Sequence, residues 1–168
     1  MRFRIISTII SVALVVTCLG SSLSATAAST AKSVKGSHGE ILSATPTLMK
    51  TSGLIKVTGA HFDETVGIYL AYCVVPKKGQ VPTPCGGGIN KAGVGTSSYW
   101  ISSNPPPYGD GLAEEFKPGG RFSKNLQVSL KIGKFDCRKV VCAVTVRADH
   151  TREGDRSVDL FVPITFSK

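Results

Sequence analysis

Residues 136–149 read DCRKVVCAVTVRAD, and two patterns meet in them. Cys137 and Cys142 bracket a four-residue loop, and a run of alternating small and branched residues follows directly. Alternation of period two is the mark of a β-strand with one face in a core. Cys142, Val144, Val146 and Ala148 share one side, which belongs between two sheets. Ala143, Thr145 and Arg147 share the other, expected to face solvent or a ligand. The stretch predicts a disulfide-anchored strand in an all-β domain.

Working outward, the chain repeats this grammar. Strands are expected near Glu40–Leu48, Leu54–Thr58, Gly67–Val75, Gly93–Ile101, Arg121–Leu130, Val140–Ala148 and Asp159–Phe166. Between them stand breakers such as KTSG, HFDETV, PTPCGGG, NPPPYGDG, KPGG and KIGK, rich in Gly, Pro, Asn and Asp. No stretch carries a sustained helical period with caps, and GLAEEF (111–116) is at most one helical turn. Seven short strands at this spacing predict a seven-stranded immunoglobulin-like sandwich. In GIYLAYCVV (67–75) the whole run is apolar, so both faces of that strand need cover, either beneath a pocket or under the segment 86–120 folded back.

The N-terminus points to export. Arg2 and Arg4 precede an apolar stretch from Ile5 to Gly20, and Ala25-Thr26-Ala27 offers small residues before a cleavage point. Residues 1–27 are expected to be a cleaved signal peptide, 28–39 a disordered linker, and 40–168 the folded domain. A lipid anchor on Cys18 is the rival, disfavoured by Thr17 before it and Leu19 after it. The mature protein is expected to be secreted, soluble and monomeric. With Arg2 and Arg4 removed from 20 basic residues, against 11 acidic ones, its charge is +7. That draws it toward anionic surfaces such as envelope components. Its cations are scattered singly, with little aromatic interleaving, which argues against a dedicated nucleic-acid interface.

Four mature cysteines remain, Cys73, Cys85, Cys137 and Cys142. In an exported chain they predict two disulfides, with three connectivities open on paper and the local pairing Cys73–Cys85 and Cys137–Cys142 preferred. A four-thiolate zinc site lacks the paired C-x-x-C rhythm and suits a reducing compartment.

Several stretches together resemble the neocarzinostatin family, secreted bacterial immunoglobulin-like apoproteins that carry an enediyne chromophore. ATPTLMKTSGLIKVTGAHFD looks like the family's first two strands, and YLAYCVV with Cys85 is similar to its first disulfide loop. GRFSKNLQV, FDCRKVVCAVTV and VPITF resemble its later strands and second disulfide. The resemblance covers most of residues 44–166 and implies the same local cysteine pairing. It also implies a non-enzymatic protein binding a small aromatic chromophore without a covalent bond, with DNA reached only through that cargo. No metal and no other cofactor is called for.

The sequence departs from the family around the expected chromophore site. Only SLKIGK stands where the family has a long hairpin rim, Val75 replaces an aromatic, and Ala143 and Arg147 replace polar, uncharged side chains. In exchange, the segment 86–120 brings the single tryptophan, Trp100, with Tyr99, Tyr108 and Phe116. The candidate cleft is therefore walled by Trp100, Tyr108 and Phe116 against Tyr69, Ala71 and Val75, with Ala143 and Arg147 on the neighbouring strand. NPPPYGDG, stiffened by prolines, is its expected lip. The bland alternative is Trp100 packed as core beneath the insertion.

The cluster DHTREGDR (149–156) admits three readings. Oxygens at alternate places with Gly154 at the sixth imitate a calcium loop, but the twelfth place is Leu160 and no helices flank it. His150 with Tyr69 or Tyr72 would suit a haem iron. The plain reading is a charged hairpin turn, with Gly154 at positive φ and Asp–Arg pairs across it. No G-x-S-x-G elbow, no HExxH and no free mature cysteine is present, so the chain is read as a non-enzyme.

Overall fold

The computed structural model describes residues 30–86 and 96–167. The expected signal peptide and the start of the strand expected at Gly93–Ile101 lie outside the described residues. In chain order the strands are β1 (Lys32–Lys35), β2 (Ile41–Thr45), β3 (Leu48–Met49), β4 (Gly53–Ala60), β5 (Ile68–Val74) and β6 (Ser98–Ile101). There follow β7 (Phe122–Val128), β8 (Lys131–Ile132), β9 (Phe135–Asp136), β10 (Cys142–Ala148) and β11 (Leu160–Phe166). They form a four-stranded sheet, β1-β2-β4-β7, packed on a five-stranded sheet, β3-β11-β10-β5-β6; β8 and β9 make a small separate hairpin.

The all-β sandwich is as expected, but the strand count is higher than seven, for physical reasons visible in two places. After Thr45, Pro46 has no N–H to give to the ladder, and the chain crosses to the second sheet. There Leu48–Met49 runs parallel to β11, so one expected strand is two. The linker expected to be disordered contains β1, whose Lys32–Lys35 pair antiparallel with Ile41–Ala44. It is held by backbone hydrogen bonds, a Ser33–Ser43 hydroxyl contact of 2.7 Å and the packing of Val34 against the core. An edge strand held that way needs a single apolar residue rather than an alternating run, and KSVK offers only Val34.

The core lies between the sheets. Leu42, Ala44, Ile55, Val57, Leu126 and Val128 from one side meet Ile68, Leu70, Val144, Val146, Val162 and Ile164 from the other, all buried. Each large side chain so buried contributes roughly 1.5–3 kcal/mol. Both disulfides are local, Cys73–Cys85 and Cys137–Cys142. They clamp the far ends of β5 and β10, where Ala143 lies opposite Cys73.

One expectation about faces is overturned. Ala143 and Thr145 are completely buried, and Arg147 is only 6% exposed. Alternation separates the two sides of β10 correctly, but it says nothing of what later folds over the outer side. GLAEEF also forms no helical turn of its own; Glu114 instead bridges to Ile101.

Candidate functional site

Register alone assembles the outer face of the five-stranded sheet. Arg147 on β10 lies opposite Tyr69 on β5, and Tyr69 lies opposite Trp100 on β6. Thr145 and Ala71, then Ala143 and Cys73, continue the same face toward the first disulfide. At the Tyr69 end two loops close over it. After β6, prolines 105–107 lead into a single 3-10 turn, Pro107–Gly109. Gly109 lies flat on the indole: a Cβ there would come within 2.4 Å of the Trp100 ring. After β10 a second 3-10 turn, His150–Arg152, begins at Asp149.

These loops make an aromatic cluster around His150. Its ring lies 4.9 Å from the Trp100 indole and 5.8 Å from both the Tyr69 and the Tyr108 rings. Trp100 and Tyr108 stack at 6.4 Å, and Tyr69 and Trp100 tilt together at 6.3 Å. Both imidazole nitrogens are used: Nδ1 is 2.5 Å from the Tyr69 hydroxyl and Nε2 is 2.7 Å from the Tyr108 hydroxyl. An imidazole carrying one N–H donates to one of these and accepts from the other. Trp100 is 1% exposed, whereas Tyr108 is 63% exposed and forms the outer leaf.

Asp149 ties the cluster to the sheet. Its carboxylate, in a residue 2% exposed, accepts the Trp100 indole N–H at 2.9 Å. The other oxygen accepts from the Thr151 amide at 2.9 Å and hydroxyl at 2.5 Å, the usual capping geometry for a turn that opens with Asp. Burial first, then the charge of Asp149, push the Tyr69 phenol up to about 12 against a smaller opposing pull from Arg147. Tyr69 is therefore a neutral hydroxyl at ordinary pH. Arg147 is held by two long bonds, to the Ala148 carbonyl at 3.4 Å and to Glu153 at 3.5 Å. Glu153 itself is largely in solvent. Beside the cluster, a cavity of about 450 Å³ opens between the proline lip and the Asp149–Arg152 turn.

Of the expected cleft residues, Tyr69, Trp100, Tyr108 and Arg147 come together, with Ala71 and Ala143 adjoining on the same face. Trp100 packs under the insertion. Two residues fall elsewhere. Phe116 points into the sandwich and stacks with Phe62 at 6.2 Å, and Val75 lies just past the end of β5, its amide donating to the Val141 carbonyl inside the second disulfide loop. Phe116 misses the cleft because aromatic content along a loop does not reveal which side of the loop is buried. Of the two tyrosines considered with His150, only Tyr69 reaches it, since Tyr72 faces the core. Asp149 as the tryptophan's partner escaped sequence reasoning. The one signal available was the Asp-x-Thr spacing, which marks a capped turn but not its distant partner.

The TREGDR turn is a charged turn of a different make from the expected hairpin. Gly154 is not at positive φ; the bend is the 3-10 turn followed by an Asp155 cap on Ser157. Arg152 pairs with Asp155 at 2.6 Å, and Arg156 with both oxygens of Asp159 at 3.0 and 3.1 Å. Among the described residues no group of three or more His, Cys, Asp and Glu is placed to hold a metal ion. Burial pushes the Asp159 carboxyl up to about 6, with Arg156 pulling the other way. A raised acid pKa means that ionising Asp159 lowers stability as pH climbs from about 4 to about 6, and the Arg156 pair acts only above that window. Arg156→Ala is therefore expected to cost about 2 kcal/mol at pH 8, discounted from a fully buried pair, and much less at pH 5. Thermal unfolding at the two pH values measures it. An equal loss at both would contradict the assignment.

No protein-family model matches the chain, and no curated protein sequence does. Among solved structures, the fold is similar to that of macromomycin. The match has a TM-score of 0.50 at 14% identity, covering 77% of this chain and all of macromomycin. At that identity the likeness is one of fold. The two disulfides and this fold fit an extracellular protein.

Proposed function

We propose that this protein is a secreted, non-enzymatic carrier that binds a small, flat aromatic molecule on the outer face of its five-stranded sheet. Macromomycin belongs to the neocarzinostatin family of enediyne apoproteins, so likeness of fold and resemblance of sequence point to the same class of ligand. The observation that carries the reading is the cluster at one end of that face: Tyr69, Trp100, Tyr108 and His150 set ring against ring. A flat ligand replaces the exposed Tyr108 leaf by sliding beneath the proline lip from the neighbouring cavity. It then stacks on the indole, and the weakly held Arg147 offers a cation to a polar substituent. A cytotoxic cargo of the enediyne kind would be shielded there and would carry the action on DNA itself.

Trp100 is the single tryptophan, so its emission reports the site without ambiguity. Titration with a panel of polyaromatic compounds is expected to quench that emission saturably. Quenching is expected to fail in the Cys73→Ala/Cys85→Ala variant, because the disulfide fixes the end of β5, the strand that carries Tyr69 and pairs with the Trp100 strand. Absence of saturable quenching across the panel would refute the proposal. Absorbance and mass spectra of protein purified natively would show the chromophore directly.

A further inference from the structure

The opposite outer face, on the four-stranded sheet, has a chemistry of its own. Register places Ser33 beside Ser43, Ser43 beside Thr58 and Thr58 beside Ser123, a row of short hydroxyls crossing all four strands. Neighbouring strands lie about 4.7–4.9 Å apart, so the residues that carry the hydroxyls repeat at about that interval across the sheet. The Ser33 and Ser43 oxygens lie 2.7 Å apart, and each hydroxyl keeps further bonding capacity. Alongside the row runs a shallow cavity of about 490 Å³ with Ile41 and Ala60 in its lining and Lys117 and Arg121 at its rim.

The arginines beside the aromatic site and the cations of the hydroxyl face differ in their partners. Around the aromatic site the arginines are paired: Arg147 with Glu153, Arg152 with Asp155, Arg156 with Asp159. On the hydroxyl face Lys35, Lys56, Lys117 and Arg121 are exposed, and among the described residues none of them is in an ion pair. No carboxylate lines the cavity. Glu64, at the adjoining turn, is occupied by the Gly119 and Gly120 amides, and Glu115 is not part of the lining. Four unpaired cations around a hydroxyl row form a surface complementary to an extended anion.

We propose that this face binds an anionic polysaccharide. Cations at the rim meet its acidic groups, the hydroxyl row bonds its sugar hydroxyls, and Ile41 with Ala60 receives the apolar face of a ring. Nucleic acid fits less well, because the lining presents no exposed aromatic ring for base stacking; Phe122, which borders it, is buried. The proposal stands independently of the aromatic site, which lies on the other side of the sandwich.

Binding of full-length mature protein to polygalacturonate, with neutral dextran and duplex DNA as comparators, tests it by biolayer interferometry. Polygalacturonate is expected to bind, more tightly than DNA, and to release as salt rises. Lys117→Glu with Arg121→Glu is expected to weaken binding by about tenfold or more, since each reversal sets like charges together. Lys131→Glu with Lys139→Glu, the same charge change on the hairpin and the second disulfide loop, is expected to leave it within about twofold. Ser43→Val with Thr58→Val keeps the charge and suits a strand, and is expected to weaken binding severalfold. Equal losses in the two charge-reversal variants, no effect of the hydroxyl variant, tighter binding of DNA, or no binding of polygalacturonate would each overturn the proposal. Circular dichroism of every variant separates loss of binding from loss of fold.

Discussion

Replacement of Asp149 by alanine is expected to lower folding stability by about 3 kcal/mol and to shift the Trp100 emission to the red. Three donors converge on this one carboxylate: the indole N–H, the Thr151 amide and the Thr151 hydroxyl. A buried donor left without an acceptor costs roughly 1–3 kcal/mol, and loss of a turn cap costs about 1 kcal/mol more. Relief from holding a buried charge offsets part of that sum. Asp149→Asn retains a carbonyl oxygen for one donor only and is expected to fall between the two. Denaturant unfolding with fluorescence detection reads both effects together. Stabilities within about 0.5 kcal/mol of the wild type in both variants would show that the indole bond does not hold the site in place.

Gly120→Ala is expected to cost more, at least about 4 kcal/mol, and to prevent accumulation of folded protein at elevated temperature. Gly120 has φ of +60°, and a Cβ built on it lies 1.9 Å from the Phe62 carbonyl oxygen. That neighbour is backbone and cannot turn aside. The approach is close because the two loops are laced together: Phe62 N–H donates to the Gly120 carbonyl, His61 N–H to that of Gly119, and both glycine amides donate to Glu64. His61 itself stands at φ of +62°, held there by the same lacing. Forcing the loops apart would also draw Phe62 from its packing on Phe116 and Phe122. Gly154→Ala is the matched control, with ordinary φ and nothing within 4 Å of the added carbon. It is expected to change stability by less than about 0.5 kcal/mol. A comparable loss in both variants would mean that neither the clash nor the positive φ of Gly120 governs the effect.

The sandwich was legible because its determinants are local. Alternation in CAVTVRAD sets which side chains share a face. Breakers such as KPGG and KIGK set where strands end, and the sequence interval from Cys73 to Cys85 is short enough for a local disulfide. The fold is similar to that of macromomycin at only 14% identity, so it does not depend on most individual residue choices. β1 was not legible, since a short edge strand is held mainly by backbone bonds that leave no imprint on residue type, and its one core contact, Val34, makes no alternating pattern. The split of the strand expected at Glu40–Leu48 was half legible: Pro46 announces a break, but not a change of sheet.

The candidate site divides in the same way. Tyr69 and Arg147 share a face by register, and the sequence placed both there. By itself it determined an all-β chain with local disulfides and an aromatic-rich insertion. Only the tertiary structure decided that the insertion's lip and the turn after β10 close over Arg147 and Trp100, that His150 joins two tyrosines, and that Phe116 turns inward to the core. It alone showed a second face where hydroxyls from four strands line up among unpaired cations. The physical reason is one of range. Alternation and turn chemistry act within a few residues, whereas the Trp100–Asp149 bond and the Ser33–Ser123 row join residues far apart in the chain, and no local preference encodes such meetings.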